Sequence, residues 1–259
     1  MTGPTDILLP QVISLLKAME PVFRSFGVDY YLAGALARDV HLSAHEKFSA
    51  KRRTKDVDIA VLLDAEEKFY QIKEALVRTG DFEERVNKPI KLIYRGETEV
   101  DLLPFGEIEN EDRELFLTRH ALLVMDMSGF REVYPFVNTV EIESGVSLNV
   151  CSLEGLILLK LIAHHDNPSR TKDITDIEHL LKVYFELNSH EIYTDYFSVM
   201  EMYSTVTNNY LDLVSARVIG RKIGLMLKDY AKTGERIKAI LSSRPVPAWL
   251  AMLDGMNDS

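Results

Sequence analysis

The sequence predicts an α+β protein, with strands and helices over residues 1–150 and an all-helical domain over residues 151–259. Strand-like and helix-like segments alternate up to Val150, whereas the pattern after Cys151 is almost wholly helical. The 259 residues, of which 46% are hydrophobic, are enough for one large domain or two ordinary ones. We therefore expect two structural units with a boundary near residue 150.

The individual elements follow from hydrophobic spacing and from turn residues. Helical spacing ends at Gly27 and again at Gly80, and glycine is the residue best suited to the end of a helix. The predicted helices are 7–26, 35–43, 64–78, 153–165, 172–185, 192–202, 210–232 and 234–241. The predicted strands are 30–33, 57–63, 82–86, 90–94 and 98–103, with weaker patterns at 121–125, 139–143 and 148–150. The short connection at 95–97 predicts a hairpin between two of these strands.

The composition excludes several classes of protein. The formal net charge of −10 argues against extensive binding to duplex DNA, because basic surfaces that displace counterions drive such binding. No stretch approaches the roughly 20 apolar residues of a membrane helix, and the N-terminal segment lacks the basic leader of a signal peptide. Cys151 is the single cysteine, so an internal disulfide is excluded. We expect a cytoplasmic protein that does not enter a membrane.

The first candidate functional feature is a turn at Gly34, between a predicted strand and a predicted helix. Gly34 is followed by Ala35 and, about one helical turn later, by Arg38. Such a turn presents backbone N–H groups and the positive end of a helix dipole to a phosphate. A glycine before a helix more often meets only a backbone requirement, so the turn gains weight only together with other features.

The second feature is the pair Asp56 and Asp58 at the start of a predicted apolar strand. Residues two apart on a strand point to the same face, so the two carboxylates project together. Like charges in that position repel each other unless a cation lies between them, and oxygen ligands at this spacing suit Mg²⁺ bound together with substrate phosphates. The alternative is a solvated strand end that binds no ligand.

The third feature is Asp101, an acid within a later apolar strand. The predicted hairpin is expected to bring Asp101 to the sheet edge where Asp56 and Asp58 lie. Three carboxylates there would hold one or two Mg²⁺ ions, one to activate an attacking hydroxyl and one to hold an NTP triphosphate. Glu99 faces the same side of the strand as Asp101 and competes for this role.

In this order, the three features resemble the nucleotidyltransferase superfamily headed by DNA polymerase beta. Its pattern is a Gly-Gly or Gly-Ser turn, two alternating acids on a strand, and a third Asp on a later strand. The resemblance implies a nucleotidyltransferase-type mixed sheet and Mg²⁺-dependent transfer of an NMP from an NTP to an acceptor hydroxyl, with release of pyrophosphate. It also implies catalytic and metal-binding roles for Asp56, Asp58 and Asp101. The chain departs from the pattern at Ala35, where a Gly or Ser is usual.

A closer resemblance, to the AbiEii-type toxins, rests on two segments. The first has the form Arg-Thr-x-Asp-h-Asp, with h an apolar residue, and the second is a helical Lys followed by an Arg and a Lys-Asp-x-x-Asp element. The nucleotide-binding residues that the two resemblances imply are Gly34, Ala35, Arg38, Arg53, Thr54, Lys160, Asp173 and Asp176. The closer resemblance further implies tRNA or another cellular target as acceptor, and a cognate antitoxin. Without it, Lys160 would be interpreted as a helix residue that reaches water, and Asp173 as an acid favoured at a helix start.

Three other functions stay open. A small-molecule nucleotidyltransferase of the antibiotic-resistance type shares the fold and the acidic pair, and a cationic aminoglycoside would suit the acidic chain. The segment from Gly34 to Asp39 resembles the Gly-Gly-x-Val-Arg-Asp of the enzymes that add the tRNA 3′ end. A catalytically inactive nucleotide-binding module is the non-enzyme alternative. The presence of three acids argues against it, because an unused acidic cluster destabilises a protein.

Overall fold

The computed structural model describes residues 10–43, 56–119, 122–143 and 146–258. The chain divides into two compact units, Met1–Ser152 and Leu153–Ser259. The first unit is α+β and the second is helical, so the predicted fold class is confirmed. Of the helices in the described ranges, none combines the length and the apolar character that crossing a membrane requires.

The first unit alternates strands and helices. Its strands are β1 (Tyr30–Ala33), β2 (Asp56–Leu63), β3 (Phe82–Glu84), β4 (Lys91–Tyr94), β5 (Thr98–Gly106), β6 (Glu114–Leu117), β7 (Leu123–Asp126), β8 (Asn138–Glu143) and β9 (Val146–Val150). Its helices are α1 (Pro10–Phe26), α2 (Gly34–Ser43), α3 (Glu66–Arg78) and α4 (Phe130–Val133). The helices of the second unit are α5 (Leu153–Asp166), α6 (Thr171–Leu187), α7 (Ser189–Asp195), α8 (Phe197–Met200), α9 (Tyr210–Met226), α10 (Ala231–Ser243) and α11 (Pro247–Asn257).

Seven strands of the first unit form one mixed sheet, in the order β3-β4-β5-β2-β1-β9-β8. The central strand β2 runs antiparallel to β1 and parallel to β5. Alternate residues of β2 and β5, such as Val57, Val100 and Leu102, are buried. Because strand side chains alternate between the two faces, the acids between these residues point to the opposite face. The predicted hairpin is confirmed, since β4 pairs antiparallel with β5.

A separate two-stranded sheet pairs β6 with β7. The sequence did not predict β6, because four residues are too few to show a clear alternation of apolar and polar side chains. Arg113, the residue before β6, forms an ion pair with a residue distant in the sequence. Arg113 donates hydrogen bonds from both terminal nitrogens to the buried Glu132, at 2.6 and 3.0 Å, and a third from Nε to Glu109 at 2.5 Å.

Helices α9 and α11 of the second unit approach each other closely. A Cβ added at Gly220 of α9 would overlap the backbone of Met252 in α11. The predicted helix 210–232 is wrong in its length, because Leu227 leaves the helical conformation (φ −98°, ψ 5°) and α10 begins only at Ala231. Helix α11 was not predicted at all, and the buried Trp249 anchors it to the core of this unit.

Candidate active site

The turn at Gly34 brings the backbone against the carboxylate of Asp58. Strand β1 ends at Ala33, which is the register partner of Asp58 on β2. Gly34 begins α2 with a φ of +63°, in the left-handed region that favours glycine. A Cβ at this position would overlap Oδ2 of Asp58 and lie 2.8 Å from its Cγ. The glycine therefore allows an acid to lie directly beside the N-terminus of a helix.

The acids that the sequence singled out lie on one face of two neighbouring strands. In the parallel pairing of β2 with β5, Asp58 is the register partner of Asp101 and Asp56 is the register partner of Glu99. Neighbouring strands are about 4.8 Å apart, and register partners in a parallel pair point to the same side. The structure therefore brings Asp58 and Asp101 together beside the Gly34 turn.

A basic residue that the sequence analysis did not consider lies within this group of acids. Lys91 on β4 is the register partner of Asp101, and its Nζ lies 2.7 Å from Asp101 Oδ1. The same ammonium donates a hydrogen bond of 3.1 Å to Glu99 Oε2. The available signal was a single lysine in the apolar segment 90–94, opposite the acid-bearing strand of a predicted hairpin.

The electrostatics of Lys91 follow from these contacts. Burial disfavours the charged ammonium, but the interactions with Asp101 and Glu99 outweigh burial and raise the pKa of Lys91 above its ordinary value. The hydrogen bond from Lys91 in turn lowers the pKa of Glu99. Lys91 is therefore a fixed positive charge on the face that carries the acids.

The acids of this face differ in how well they suit a magnesium ion: Asp56 and Asp58 suit it better than Asp101. Asp56 and Asp58 offer oxygen ligands on one side of a strand, and Mg²⁺ typically takes one or two carboxylates together with substrate phosphates. Asp101 Oδ1 is buried and, among the described residues, receives no hydrogen bond in addition to its ion pair with Lys91. Over the described part of the chain, no three His, Cys, Asp or Glu side chains converge as a preformed metal site. Asp101, the third predicted ligand, forms an ion pair with Lys91 instead.

The second unit holds the other predicted nucleotide-binding residues. Lys160 on α5 donates hydrogen bonds to Asp173 Oδ1 at 3.0 Å and to Asp176 Oδ2 at 2.7 Å, both on α6. Arg170 donates from Nε to the other oxygen of Asp173 at 2.6 Å. Burial would raise the pKa of Asp173, but Arg170 and Lys160 outweigh it and hold this pKa below its ordinary value. The Lys-Arg-Asp-Asp element is thus one ion-pair cluster.

Of the two predicted phosphate-binding arginines, Arg38 is the one that lies within the described residues. Arg38 donates hydrogen bonds from Nε and Nη2 to Asp39 Oδ1, at 2.9 and 2.8 Å, and both side chains are largely buried. The guanidinium is therefore engaged by the adjacent acid on α2. Arg53 and Thr54 lie outside the described residues.

Several solved structures are similar to the chain at low sequence identity. The antibiotic-resistance factor ANT(2'')-Ia is 14% identical, with 85% of this chain and 97% of that chain covered and a TM-score of 0.37. A nucleotidyltransferase-like protein from Paracoccidioides brasiliensis is 18% identical, with 67% and 75% covered and a TM-score of 0.36. The CCA-adding enzyme of Thermotoga maritima, complexed with tRNA, is 13% identical, with 98% and 53% covered and a TM-score of 0.31.

The family comparison covers most of the chain. A search of curated proteins gives no significant match. Residues 24–251 match the family described as "Nucleotidyl transferase AbiEii toxin, Type IV TA system". The matched range includes the Gly34 turn, the acid-bearing strands β2 and β5, and the ion-pair cluster around Lys160. The chain therefore belongs to the AbiEii family of nucleotidyltransferase toxins.

Proposed function

We propose that the chain is a Mg²⁺-dependent enzyme that transfers an NMP from an NTP to an acceptor hydroxyl and releases pyrophosphate. The observation that carries this proposal is the position of Asp58, which lies against the Gly34 turn and is the register partner of Asp101. An acid at the N-terminus of a helix repels the phosphate that the helix attracts, unless a cation joins the two. A divalent cation brought in with the NTP meets that requirement.

The roles of the first unit follow from its geometry. Asp56 and Asp58 are the residues that would hold Mg²⁺, which supplies positive charge for the phosphates and for the developing oxyanion. The backbone N–H groups at Gly34 and Ala35 bind phosphate oxygens at the start of α2. Asp101 accepts a hydrogen bond from the acceptor hydroxyl and takes up its proton. The hydroxyl oxygen then bonds to the α-phosphorus, the bond from that phosphorus to the bridging oxygen breaks, and pyrophosphate leaves.

The second unit carries the remaining residues that the family membership implies for nucleotide binding. Lys160 is proposed to bind a phosphate of the nucleotide, with Asp173 and Asp176, which accept its hydrogen bonds, as positioning residues. Arg38 and Arg53 are proposed as further phosphate contacts, and Thr54 as a residue of the nucleotide site. Engagement of a phosphate by Arg38 would require its present partner, Asp39, to share the guanidinium.

The test is transfer of label from α-labelled NTPs in the presence of Mg²⁺, with each of the four NTPs supplied separately. We expect the wild-type chain to label its acceptor and Asp58→Asn to lose on the order of 10² or more in rate, because a ligand of the transition-state charge is removed. Glu107→Gln, an exposed acid just beyond β5, is the matched control and should keep the wild-type rate. Equal transfer by wild type and Asp58→Asn would refute the proposal, and failure to bind any NTP would favour an inactive binding module.

The acceptor proposed first is tRNA, in a toxin that a cognate antitoxin restrains, because the chain belongs to a toxin family. Under this proposal the reaction takes place in the cytoplasm, where both NTP and tRNA are available. The second candidate is a cationic small molecule such as an aminoglycoside, which the net charge of −10 favours. Induced expression in a bacterial host separates the two. Growth arrest that Asp56→Ala abolishes supports the toxin, whereas drug resistance without arrest supports the alternative.

A further inference from the structure

Lys91 lies beside both acids of β5, on the face that carries the proposed metal ligands. The acids of β2 and β5 form two rows, Asp56 with Glu99 and Asp58 with Asp101. Lys91 approaches from β4 on the far side of β5, and its ammonium reaches both acids of that strand, at 2.7 Å from Asp101 and 3.1 Å from Glu99. The acids of β5 are therefore flanked by β2 on one side and by a lysine on the other.

The distance between Lys91 Nζ and Asp101 Oδ1 identifies the kind of contact that the two side chains make. A distance of 2.7 Å between ammonium nitrogen and carboxylate oxygen is that of a direct ion pair. The atom that Lys91 touches, Oδ1, is buried from solvent. A divalent cation that used the same oxygen would lie within a few ångströms of the ammonium, in a partly buried place where like charges repel strongly. The ammonium of Lys91 therefore disfavours a second metal ion on this oxygen of Asp101.

The position of the lysine is fixed by more than one partner. Its backbone lies in β4, in register with Asp101, and its side chain is held between two carboxylates of the neighbouring strand. Arg85 adds a second, longer ion pair to Glu99, at 3.9 Å. Both acids of β5 thus have a protein cation beside them. The acids of β2 are the residues proposed above to hold the metal ion.

We propose that the Lys91 ammonium takes the place of a second divalent cation, so that the active site works with a single cation held by Asp56 and Asp58. This inference rests on the proposed function and restricts it. Asp101 then binds the acceptor hydroxyl and is not a metal ligand. Lys91 is a positioning residue, which holds Asp101 towards β4 and supplies the positive charge that a second metal ion would otherwise bring.

The test counts metal ions directly. Electron paramagnetic resonance of free Mn²⁺ gives the number of ions bound per chain at saturating α,β-methylene-ATP, a nucleotide that does not transfer its NMP. We expect one ion per chain in the wild type and two in Lys91→Met, which keeps the length of the side chain and removes its charge. Lys91→Arg should stay at one, because the charge is retained. Lys88→Met, three residues earlier and exposed, removes a charge that acts on Glu99 only at longer range and should also stay at one.

The outcomes separate the inference from the proposed function. Two ions in the wild type, or one ion in both the wild type and Lys91→Met, would overturn the role of Lys91 while leaving nucleotidyl transfer intact. No nucleotide-dependent Mn²⁺ in any variant would overturn the proposed function, and the inference with it. Thermal melting of each variant confirms that it is folded. The Mg²⁺ dependence of transfer gives a second measurement, with a Hill slope near one expected in the wild type and a slope that rises towards two in Lys91→Met.

Discussion

Replacing Gly34 by alanine is expected to disable the candidate active site without changing any charge or any acid. The residue has a φ of +63°, and its Cα faces the carboxylate of Asp58. The added methyl group would overlap Oδ2 of Asp58, so either the acid or the turn must move. The substitution therefore displaces a proposed metal ligand by a steric route alone.

The size of the effect can be estimated from a matched position. Gly27 has nearly the same φ, +61°, but a Cβ there would meet nothing within 4 Å. An L-residue in the left-handed region costs about 1–2 kcal/mol, which both alanine variants should lose. The overlap at Gly34 adds about 1–3 kcal/mol, as forced packing does elsewhere in proteins. A displacement of Asp58 by about 1 Å should lower transfer on the order of 10²-fold.

Two measurements on the pair of variants check this reasoning. Urea denaturation should show that Gly34→Ala loses more stability than Gly27→Ala, by about 1–3 kcal/mol. Label transfer from an NTP should fall in Gly34→Ala and stay near the wild-type rate in Gly27→Ala. Equal losses of stability would refute the close approach of Asp58. An additional loss at Gly34 with undiminished transfer would refute the role of Asp58 in catalysis and leave the geometry standing.

Three predictions concern the second unit, and urea denaturation measures each. Gly220→Ala should destabilise the protein by about 1–3 kcal/mol, because the added Cβ would overlap the α11 backbone. Gly234→Ala, whose Cβ would make only an ordinary contact at 3.9 Å, should stabilise it by up to about 1 kcal/mol. Similar effects of the two substitutions would refute the close packing of α9 and α11. Hydrogen bonds from arginine lower the pKa of Asp258 from 3.8 to about 2, so the stability it adds is present above pH 3.8 and lost as pH falls towards 2. Asp258→Asn should therefore cost roughly 1 kcal/mol near neutral pH, after allowance for solvent screening, and progressively less in acid; a cost independent of pH would contradict this. Lys222→Met should lower the free energy of unfolding by about 3–5 kcal/mol, because it leaves the buried Glu154 without its cation. Adding Glu154→Gln should recover part of that loss. No recovery would show that the ion pair is not the cause.

The parts of the candidate site that the sequence predicted are those that local rules determine. The same-side projection of Asp56 and Asp58 follows from the two-residue period of a strand. The left-handed conformation of Gly34 follows from the need to turn from a strand into a helix. The hairpin between β4 and β5 follows from a short connection, where Arg95 and Gly96 both have positive φ.

The parts that the sequence did not predict depend on pairing between distant segments. The sequence predicted that Asp101 lies at the same sheet edge as Asp58, but not the register that pairs them. That register joins strands separated by a helix and two further strands, and periodicity within one strand contains no information about its partner. The role of Lys91 is visible only when that register and the register of the hairpin are combined. Helix α11 was missed for a related reason, because it is stabilised by packing against α9 through Gly220.

The strand registers also bear on the inference that the four acids of β2 and β5 bind a single metal ion. Lys91 contacts both acids of β5 and repels a divalent cation from them, whereas Asp56 and Asp58 form the half that lies on β2. That half is also the one against the Gly34 turn, where the start of α2 favours the phosphate that accompanies the cation. In the proposed mechanism, metal and nucleotide therefore bind at the same point, and Asp101 meets the acceptor.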